Sequence, residues 1–471
     1  MIGSRAGVSH RLLAFLAAGI FVASCRGRGS GADSSASSSA VAGAMVSMGE
    51  APSRPSGPGA ASASASPDLG PRRPTNVLLI TIDSLRADMP WQGYSRDIAP
   101  NLTAFARESV VYPRAYAASS YTARSVAALL SGKYPSQLYR SGSFFAEYSK
   151  SNEFFPEMLA SNGVRTLAGH AHFYFDPSRG KNLDQGFDVW RLVPGIKVNN
   201  TTDESITGDK LTDLAVSLLS DEANTTKPFF MWLHYMDPHD QYRSHPESPR
   251  FGDRARDHYD GEVFFTDLQI ERLFAFGRKQ SWWSNTAIIV TSDHGEAFGE
   301  HTMWRHAFAL WEVLTRVPLI IKSPHAPPKV IEERRSSVDL APTILDLVGV
   351  APHAGFEGRS LVPEVYGLAP PENREPILLD LPADTNNSPT RAIIQGDHKL
   401  IVGGEGERLA LYDLARDPEE TKNLAADQAH RAIRDELKSV FDKAWGALAR
   451  VRPYGGTKLV GGGLADGPHG P

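Results

Sequence analysis

The sequence feature that most limits the possible folds is a set of short, almost purely apolar runs. They lie at residues 76–82, 228–234, 286–291 and 317–322, and none alternates polar with apolar side chains. Such runs are typical of parallel strands buried on both faces. Segments with helical periodicity lie between and around them, at 101–109, 125–130, 153–161, 210–219, 259–276 and 339–348. The sequence therefore predicts an α/β fold with a mostly parallel central sheet and helices on both faces.

The two ends of the chain differ in composition from this central part. Basic residues precede an apolar run, Leu12–Ala23, and the only cysteine of the chain, Cys25, follows it. This is the layout of an export signal, and Val22–Cys25 resembles the lipobox of bacterial lipoproteins, in which the cysteine is lipidated. A plain signal peptide is the alternative. We predict the following divisions: lipoprotein signal peptide 1–25, disordered Gly/Ala/Ser/Pro linker 26–74, catalytic domain 75–385, small antiparallel α+β subdomain 386–450, and disordered tail 451–471.

These assignments predict an exported lipoprotein of the bacterial cell envelope, on its periplasmic or outer face, held to a membrane through Cys25. The formal net charge is −5 and no basic block stands out, so we expect no nucleic-acid partner.

Three of the predicted strands end in side chains that commonly bind metal ions. One runs into Asp83, one into His234, and one into Asp293 and His294. An acidic residue after a strand is usually a turn or helix-cap residue, so each ending alone is a weak signal. Ligands bind outside the carboxyl ends of the strands in open α/β sheets, and three such endings together predict a divalent cation there.

Several segments, in this order, resemble the sulfatase family of the alkaline phosphatase superfamily. They are residues 76–88, 99–106, 128–135, 291–301, 316–320, 337–344 and 411–419. The resemblance implies the sulfatase fold, a catalytic metal ion, a covalent enzyme intermediate, and a small-molecule, glycan or lipid ester as substrate.

The nucleophile position departs from the pattern of that family. Sulfatases carry a cysteine or serine, oxidised to formylglycine, in Cys/Ser-x-Pro/Ala-x-Arg just before a helix that ends in Leu-Leu-Thr-Gly. Counting back from Gly132 places Thr122 at this position, with Arg124 and Val126 in place of the proline and arginine. The alternative takes Ser120 as the start of a degenerate formylglycine motif, which would turn the serine about 200° around the helix. A hydroxyl at a helix N-terminus beside a cation is readily ionised, which favours Thr122.

The resemblance then implies roles for the remaining candidates. Asp83, Thr122, Asp293 and His294 form the metal shell. Ser84 stands where many sulfatases have a second acidic residue, so one ligand is either missing or replaced by a hydroxyl or water. Mixed nitrogen and oxygen ligands favour Zn²⁺ or Mn²⁺ over Ca²⁺. The other assignments are His234, His239 and His306 as leaving-group acid, oxyanion stabiliser or second-metal ligand, Asp237 with His239 at a second ion, and His170, His172 and Arg124 at the substrate.

Formylglycine releases sulfate by collapse of its hydrate, a route that threonine lacks. An ester on Thr122 must instead be attacked at sulfur or phosphorus, so the sequence predicts hydrolysis of sulfate or phosphate esters, or phosphoglycerol-type transfer. A non-catalytic lipoprotein that keeps the fold as a binding module is the alternative from another class. The loss of the usual motif residues favours it, and the retained histidines and carboxylates oppose it.

Overall fold

A computed structural model describes residues 68–70, 73–196, 208–352, 354–404, 408–455 and 459–460. All of them belong to one compact unit. The predicted signal peptide, Cys25 and most of the predicted linker lie outside the described residues. Within the described part, no helix is both long and apolar enough to cross a membrane.

Most strands of the chain belong to one large sheet. The strands before residue 340, in chain order, are β1 (Asn76–Ile82), β2 (Val110–Tyr116), β3 (Arg165–His170), β4 (Val189–Leu192), β5 (Phe229–Tyr235), β6 (Thr286–Ser292), β7 (Ala297–Phe298), β8 (Trp304–Arg305), β9 (Arg316–Lys322), β10 (Lys329–Val330) and β11 (Arg335–Ser336). The large sheet has nine strands in the order β10-β2-β9-β6-β1-β5-β3-β4, with β11 beside β2, and β7 pairs with β8 apart from it.

The centre of this sheet is parallel, as the sequence predicted. Strand β1 pairs in parallel with β5 on one side and with β6 on the other, whereas β9 runs antiparallel to its neighbours. Every residue of β1, β5 and β6 is buried. Apolar side chains on both faces of these strands pack into two separate cores, which explains why they lack polar alternation.

The helices cover both faces of the sheet, and six of them lie at the six predicted helical segments. Their bounds are α1 (Pro100–Arg107), α2 (Thr122–Ser131), α3 (Phe155–Ser161), α4 (Gly208–Ser220), α5 (Glu222–Thr225), α6 (Ala255–Gly277), α7 (Glu312–Thr315), α8 (Leu340–Val348), α9 (Val362–Val365) and α10 (Arg431–Ala447).

A second, four-stranded antiparallel sheet forms the C-terminal part of the unit, which confirms the predicted subdomain. Its strands are β12 (Ile377–Leu381), β13 (Thr390–Gln395), β14 (His398–Gly403) and β15 (Arg408–Asp413), paired in that order. Strand β12 was not predicted and precedes the expected boundary at residue 386. Its buried Asp380 accepts hydrogen bonds from the backbone N–H and the hydroxyl of Ser136, at 2.6 and 2.8 Å. This strand therefore attaches the small sheet to the segment that follows α2.

Parts of the predicted linker and tail are packed on the unit. Leu69 is only 1% exposed within the core, and Val451 donates a backbone hydrogen bond of 2.8 Å to Ser136. The described residues at both ends thus belong to the folded unit rather than to a tether or a tail.

Candidate functional site

The carboxyl ends of the three central strands bring the predicted metal ligands together. Thr81 on β1 lies opposite His234 on β5 and Thr291 on β6. Asp83 and Asp293 each come two residues after their opposed threonine, so both project from the same edge of the sheet. One ligand atom from each of Asp83, His234 and Asp293 lies within 4.8 Å of the other two, which is close enough for a single ion to bind all three.

Helix α2 begins at this edge, with Thr122 as its first residue. The Thr122 hydroxyl lies 3.0 Å from Asp83 Oδ2 and 3.2 Å from His294 Nε2. His294 Nε2 is also 3.5 Å from Asp83 Oδ1 and 3.4 Å from Asp293 Oδ2. The structure therefore brings together all four residues that the sequence assigned to the metal shell.

His234 belongs to the same cluster rather than to the substrate pocket. Its Nε2 is 3.3 Å from Asp83 Oδ2, and its Nδ1 is 2.7 Å from the Thr81 hydroxyl. That hydroxyl also accepts a hydrogen bond of 2.8 Å from Trp232 Nε1 and lies 3.3 Å from the Leu233 carbonyl. The assignment that satisfies all three contacts puts the proton on His234 Nδ1 and the threonine hydrogen on the carbonyl. The lone pair of Nε2 then faces the Asp83 carboxylate.

His294 has the same tautomer as His234, with its proton on Nδ1. Its Nδ1 lies 3.0 Å from the carbonyl of Gly295, which can only accept, so Nδ1 carries the proton and Nε2 presents a lone pair. Burial, followed by the neighbouring His306, lowers the pKa of His294 to about 3. The ring is consequently neutral, the form in which imidazole binds metal ions.

This arrangement has too few hydrogens for its acceptors, and a divalent cation would fit it. Asp293 Oδ2 is buried without a hydrogen-bond partner in the described part of the chain. Burial, and then the charge of Asp83, raise the pKa of Asp293 to about 7. Burial opposes ionisation of Asp83 too, but the pKa of Asp83 lies well below the ordinary value, with the nearby His239 as the largest favourable cause. Asp83, Asp293, His234 and His294, with the Thr122 hydroxyl, would hold the ion.

Ser84 stands at the position where many sulfatases have a second acidic residue, and it contacts the Asp83 carboxylate. Its backbone is left-handed, with φ of 58°, and its hydroxyl donates a 2.9 Å hydrogen bond to Asp83 Oδ1. Ser84 therefore orients the Asp83 carboxylate.

A cavity of about 350 Å³ opens above Thr122 and is lined by His172, His239 and His306. His306 Nδ1 lies 3.1 Å from Glu296 Oε1, and its ring centroid is 4.3 Å from that of His294 and 4.9 Å from that of His239. A proton on Nδ1 is donated to the Glu296 carboxylate, which leaves Nε2 for proton exchange with a substrate.

The rest of this cavity is strongly aromatic. Its lining includes Phe144, Phe145 and Phe173, together with Trp304 and Phe308. Trp304 is 61% exposed, Phe308 58% and Phe145 39%. Large apolar side chains that remain exposed around a concave site are typical of a surface that binds an apolar ligand.

Three predicted site residues lie elsewhere. His170 is fully buried, with its ring 4.3 Å from that of Phe175 and 4.2 Å from that of Trp190, and neither ring nitrogen has a hydrogen-bond partner among the described residues. Arg124 is buried and pairs with Asp384 at 3.4 Å. The Ser120 hydroxyl is buried, again without a partner where the structure describes the chain. None of the three lines the cavity above Thr122.

The sequence predicted that Asp237 lies beside His239, but the structure does not group these two residues. Asp237 lies with His245 and Glu262 in a separate cluster, whose three ligand atoms are within 4.8 Å of one another. His239 instead faces the cavity, because the chain leaves the sheet after β5 and turns between the two residues.

Two residues of the site were not predicted. Thr81 orients His234, and Glu296 orients His306. Thr81 sits inside an apolar strand, where one polar residue carries little signal. Glu296 lies in a segment that resembles the family, three residues after Asp293, and that placement was the available signal.

The chain resembles proteins of known sequence and structure over most of its length. Residues 75–350 match the sulfatase family, and residues 299–445 match the C-terminal region of N-sulphoglucosamine sulphohydrolase. The chain is 25% identical over 461 residues to choline-sulfatase of Rhizobium meliloti, covering 80% of this chain and 88% of the relative. It is 22% identical over 494 residues to N-acetylglucosamine-6-O-sulfatase of Bacteroides thetaiotaomicron, covering 79% and 86%. The phosphonate monoester hydrolase of Agrobacterium radiobacter has the same fold, with a TM-score of 0.65, 19% identity and coverage of 79% and 96%.

Proposed function

Because the chain belongs to the sulfatase family of ester hydrolases, we propose that it hydrolyses sulfate monoesters with the Thr122 hydroxyl as nucleophile. The observation that carries this proposal is the position of that hydroxyl at the floor of the cavity, 3.0 Å from Asp83 and 3.2 Å from His294. No other described serine or threonine hydroxyl both lines this cavity and contacts the cluster of Asp83, His234, Asp293 and His294.

The place of Thr122 in helix α2 supports this role. As the first residue of a ten-residue helix, its side chain lies at the positive end of the helix dipole. The divalent cation, when bound, lowers the pKa of the hydroxyl and offsets negative charge on the ester oxygens.

The reaction has two displacement steps. The Thr122 oxygen, as alkoxide, attacks the ester sulfur, the bond from sulfur to the leaving oxygen breaks, and a protonated His306 gives its proton to that oxygen. Water then attacks the sulfur of the threonine sulfate and gives a proton to the neutral His306, while the Thr122 oxygen leaves as alkoxide. Glu296 keeps the His306 ring oriented through both steps. His239, whose ring lies 4.9 Å from that of His306, is placed to bind the ester oxygens.

Phosphate and phosphonate esters are the second candidate substrates. Threonine cannot release sulfate through an aldehyde hydrate, so both half-reactions occur at the central atom, a route open to phosphorus as well. The shared fold with a phosphonate monoester hydrolase favours this candidate further.

The organic part of the substrate is proposed to be apolar or aromatic. Trp304, Phe308 and Phe145 surround the mouth of the cavity and remain exposed. Burying them against an alkyl or aryl group removes apolar surface from water.

The test compares sulfate monoesters, phosphate monoesters and phosphate diesters that share one leaving alcohol, using Thr122→Ala and Ser120→Ala. We expect kcat to fall at least about 10³-fold in the Thr122 variant, as when a covalent nucleophile is removed, and to change little in the Ser120 variant. Loss of activity in Ser120→Ala alone would instead establish the formylglycine alternative. A metal-loaded wild-type protein inactive on every ester class would favour the non-catalytic binding module.

Export and lipidation at Cys25 remain proposals that rest on the sequence before residue 26. The wild-type chain should incorporate a radiolabelled fatty acid in bacteria and fractionate with membranes. Cys25→Ser should lose the label. An unlabelled wild-type protein found free outside the cytoplasm would indicate the plain signal peptide.

A further inference from the structure

A second cluster of ligand-type side chains lies outside the catalytic cavity. Asp237 follows β5, His245 lies in the next loop, and Glu262 is on helix α6. One ligand atom from each lies within 4.8 Å of the other two, and His245 Nε2 is 2.6 Å from Glu262 Oε2. These separations are close to those between ligands that share one metal ion.

The charges of this cluster are unbalanced. Asp237 is 5% exposed and Glu262 2%, and the one cationic partner within the cluster is the His245 imidazole. Asp237 Oδ2 is buried and has no hydrogen-bond partner among the residues that the structure describes. A divalent cation beside a neutral imidazole would balance both carboxylates.

The surrounding backbone fixes the direction of each ligand. Asp237 Oδ1 accepts the Gly208 N–H at 2.6 Å, and Glu262 Oε1 accepts the Arg243 N–H, so each carboxylate keeps its other oxygen for the cluster. The His245 ring stacks on Phe265 with centroids 3.7 Å apart and planes 6° apart. Outer hydrogen bonds and ring packing of this kind are typical of side chains that hold a metal ion.

A cavity borders the cluster at His245. A cavity of about 340 Å³ is lined by His245, Arg243, Ser248 and Gly261. Within the described part of the chain, it shares no lining residue with the cavity above Thr122. His245 is therefore reached from a cavity that is separate from the one above Thr122.

We propose that Asp237, His245 and Glu262 form a second divalent-cation site, suited to Zn²⁺ or Mn²⁺, that fastens the loop after β5 to helix α6. Two carboxylate oxygens and one imidazole nitrogen match the ligand preferences of these ions. On binding, the ion replaces the proton shared by His245 and Glu262, and that proton is released to solvent. The fastened loop carries His239, so the ion also holds that side chain in the catalytic cavity.

The test measures metal content on the whole chain. Wild type, Asp237→Asn/Glu262→Gln and Asp293→Asn are stripped with a chelator, reloaded with Zn²⁺ and desalted, and zinc is then counted by mass spectrometry. We expect two ions per wild-type chain and one ion in each variant. The Asn and Gln side chains keep the shape of the acids and remove buried charge, so the variants should fold, which circular dichroism checks.

Thermal unfolding gives an independent readout. Zn²⁺ should raise the Tm of metal-free Asp293→Asn, in which the new site is intact, more than that of a triple variant that combines all three substitutions. The proposal is overturned if Asp237→Asn/Glu262→Gln retains as much zinc as wild type. It is equally overturned if Asp293→Asn binds none. If Asp237→Asn/Glu262→Gln loses zinc but Asp293→Asn does not, the result supports this second site and counts against metal binding at the catalytic site.

Discussion

Replacing Thr81 by valine should weaken metal binding at the catalytic cluster, which consists of Asp83, His234, Asp293 and His294. Thr81 is not a ligand in that cluster, so the effect is indirect. The substitution keeps the side-chain shape but removes the hydroxyl that meets both His234 Nδ1 and Trp232 Nε1, at 2.7 and 2.8 Å. All three side chains are 0% exposed, so water cannot replace the lost partner. Each orphaned buried donor costs about 1–3 kcal/mol, so for the two donors we expect the free energy of unfolding to fall by about 2–6 kcal/mol.

The effect on the cation follows from the freed imidazole. Without its Nδ1 partner, His234 loses the fixed tautomer that points the Nε2 lone pair at Asp83, and the affinity for Zn²⁺ should fall by about 10- to 100-fold. Competition with a coloured chelator measures this affinity, in an Asp237→Asn/Glu262→Gln background so that only the catalytic cluster binds. Urea unfolding of the metal-free proteins gives the stability change.

Thr291→Val is the matched control. Thr291 lies opposite Thr81 on the neighbouring strand and is also buried, but its hydroxyl donates to the Pro318 carbonyl at 2.8 Å. It should lose stability, by about 1–2 kcal/mol, while its Zn²⁺ affinity is retained. Equal Zn²⁺ affinity in Thr81→Val and wild type would refute the tautomer assignment, even if the stability loss is as expected.

Three further predictions concern protonation and buried charge. His306→Ala should slow hydrolysis of alkyl esters by about 10²–10⁴-fold but affect 4-nitrophenyl esters much less, since a good leaving group needs no acid; equal losses in kcat would exclude the acid role. Lys399→Met should lower the free energy of unfolding in urea by about 3–5 kcal/mol, because Lys399 lies 3.0 Å from both Glu312 and Glu420 in a buried site. An unchanged free energy of unfolding would mean that these acids become protonated without penalty. In metal-free protein, the pKa of Asp237 is about 7 in the folded state and 3.8 in the unfolded state, so between these values the folded state holds a proton that the unfolded state has lost. Wild type should therefore lose stability relative to Asp237→Asn as pH rises from about 4 to about 7, by at most about 1.4 kcal/mol per pH unit. Parallel curves of stability against pH would contradict the raised pKa.

The fold and the catalytic cluster were predictable because buried parallel strands have a plain sequence signature. Once β1, β5 and β6 are placed side by side, the residues after their carboxyl ends must share one edge. Asp83, Asp293 and His294 follow from that edge alone, whereas Thr122 was predicted from the resemblance to the sulfatase family, by counting back from Gly132.

The remaining features depend on side-chain directions outside regular strands. His234 and His239 are five residues apart, yet one lies in the metal cluster and the other in the cavity, because the chain turns after Tyr235. The grouping of His245 with Glu262 joins a loop to a helix 17 residues later, and no periodicity connects them. His170 lies on a strand in the interior, where its fate depends on the aromatic rings that surround it.

The most direct test of the central claim is peptide mass spectrometry of the enzyme quenched during turnover of an aryl sulfate and, separately, an aryl phosphate. We predict an added sulfo or phospho group on Thr122, absent from Thr122→Ala, with Ser120 unmodified. A formylglycine at Ser120, or turnover by Thr122→Ala at the wild-type rate, would contradict it.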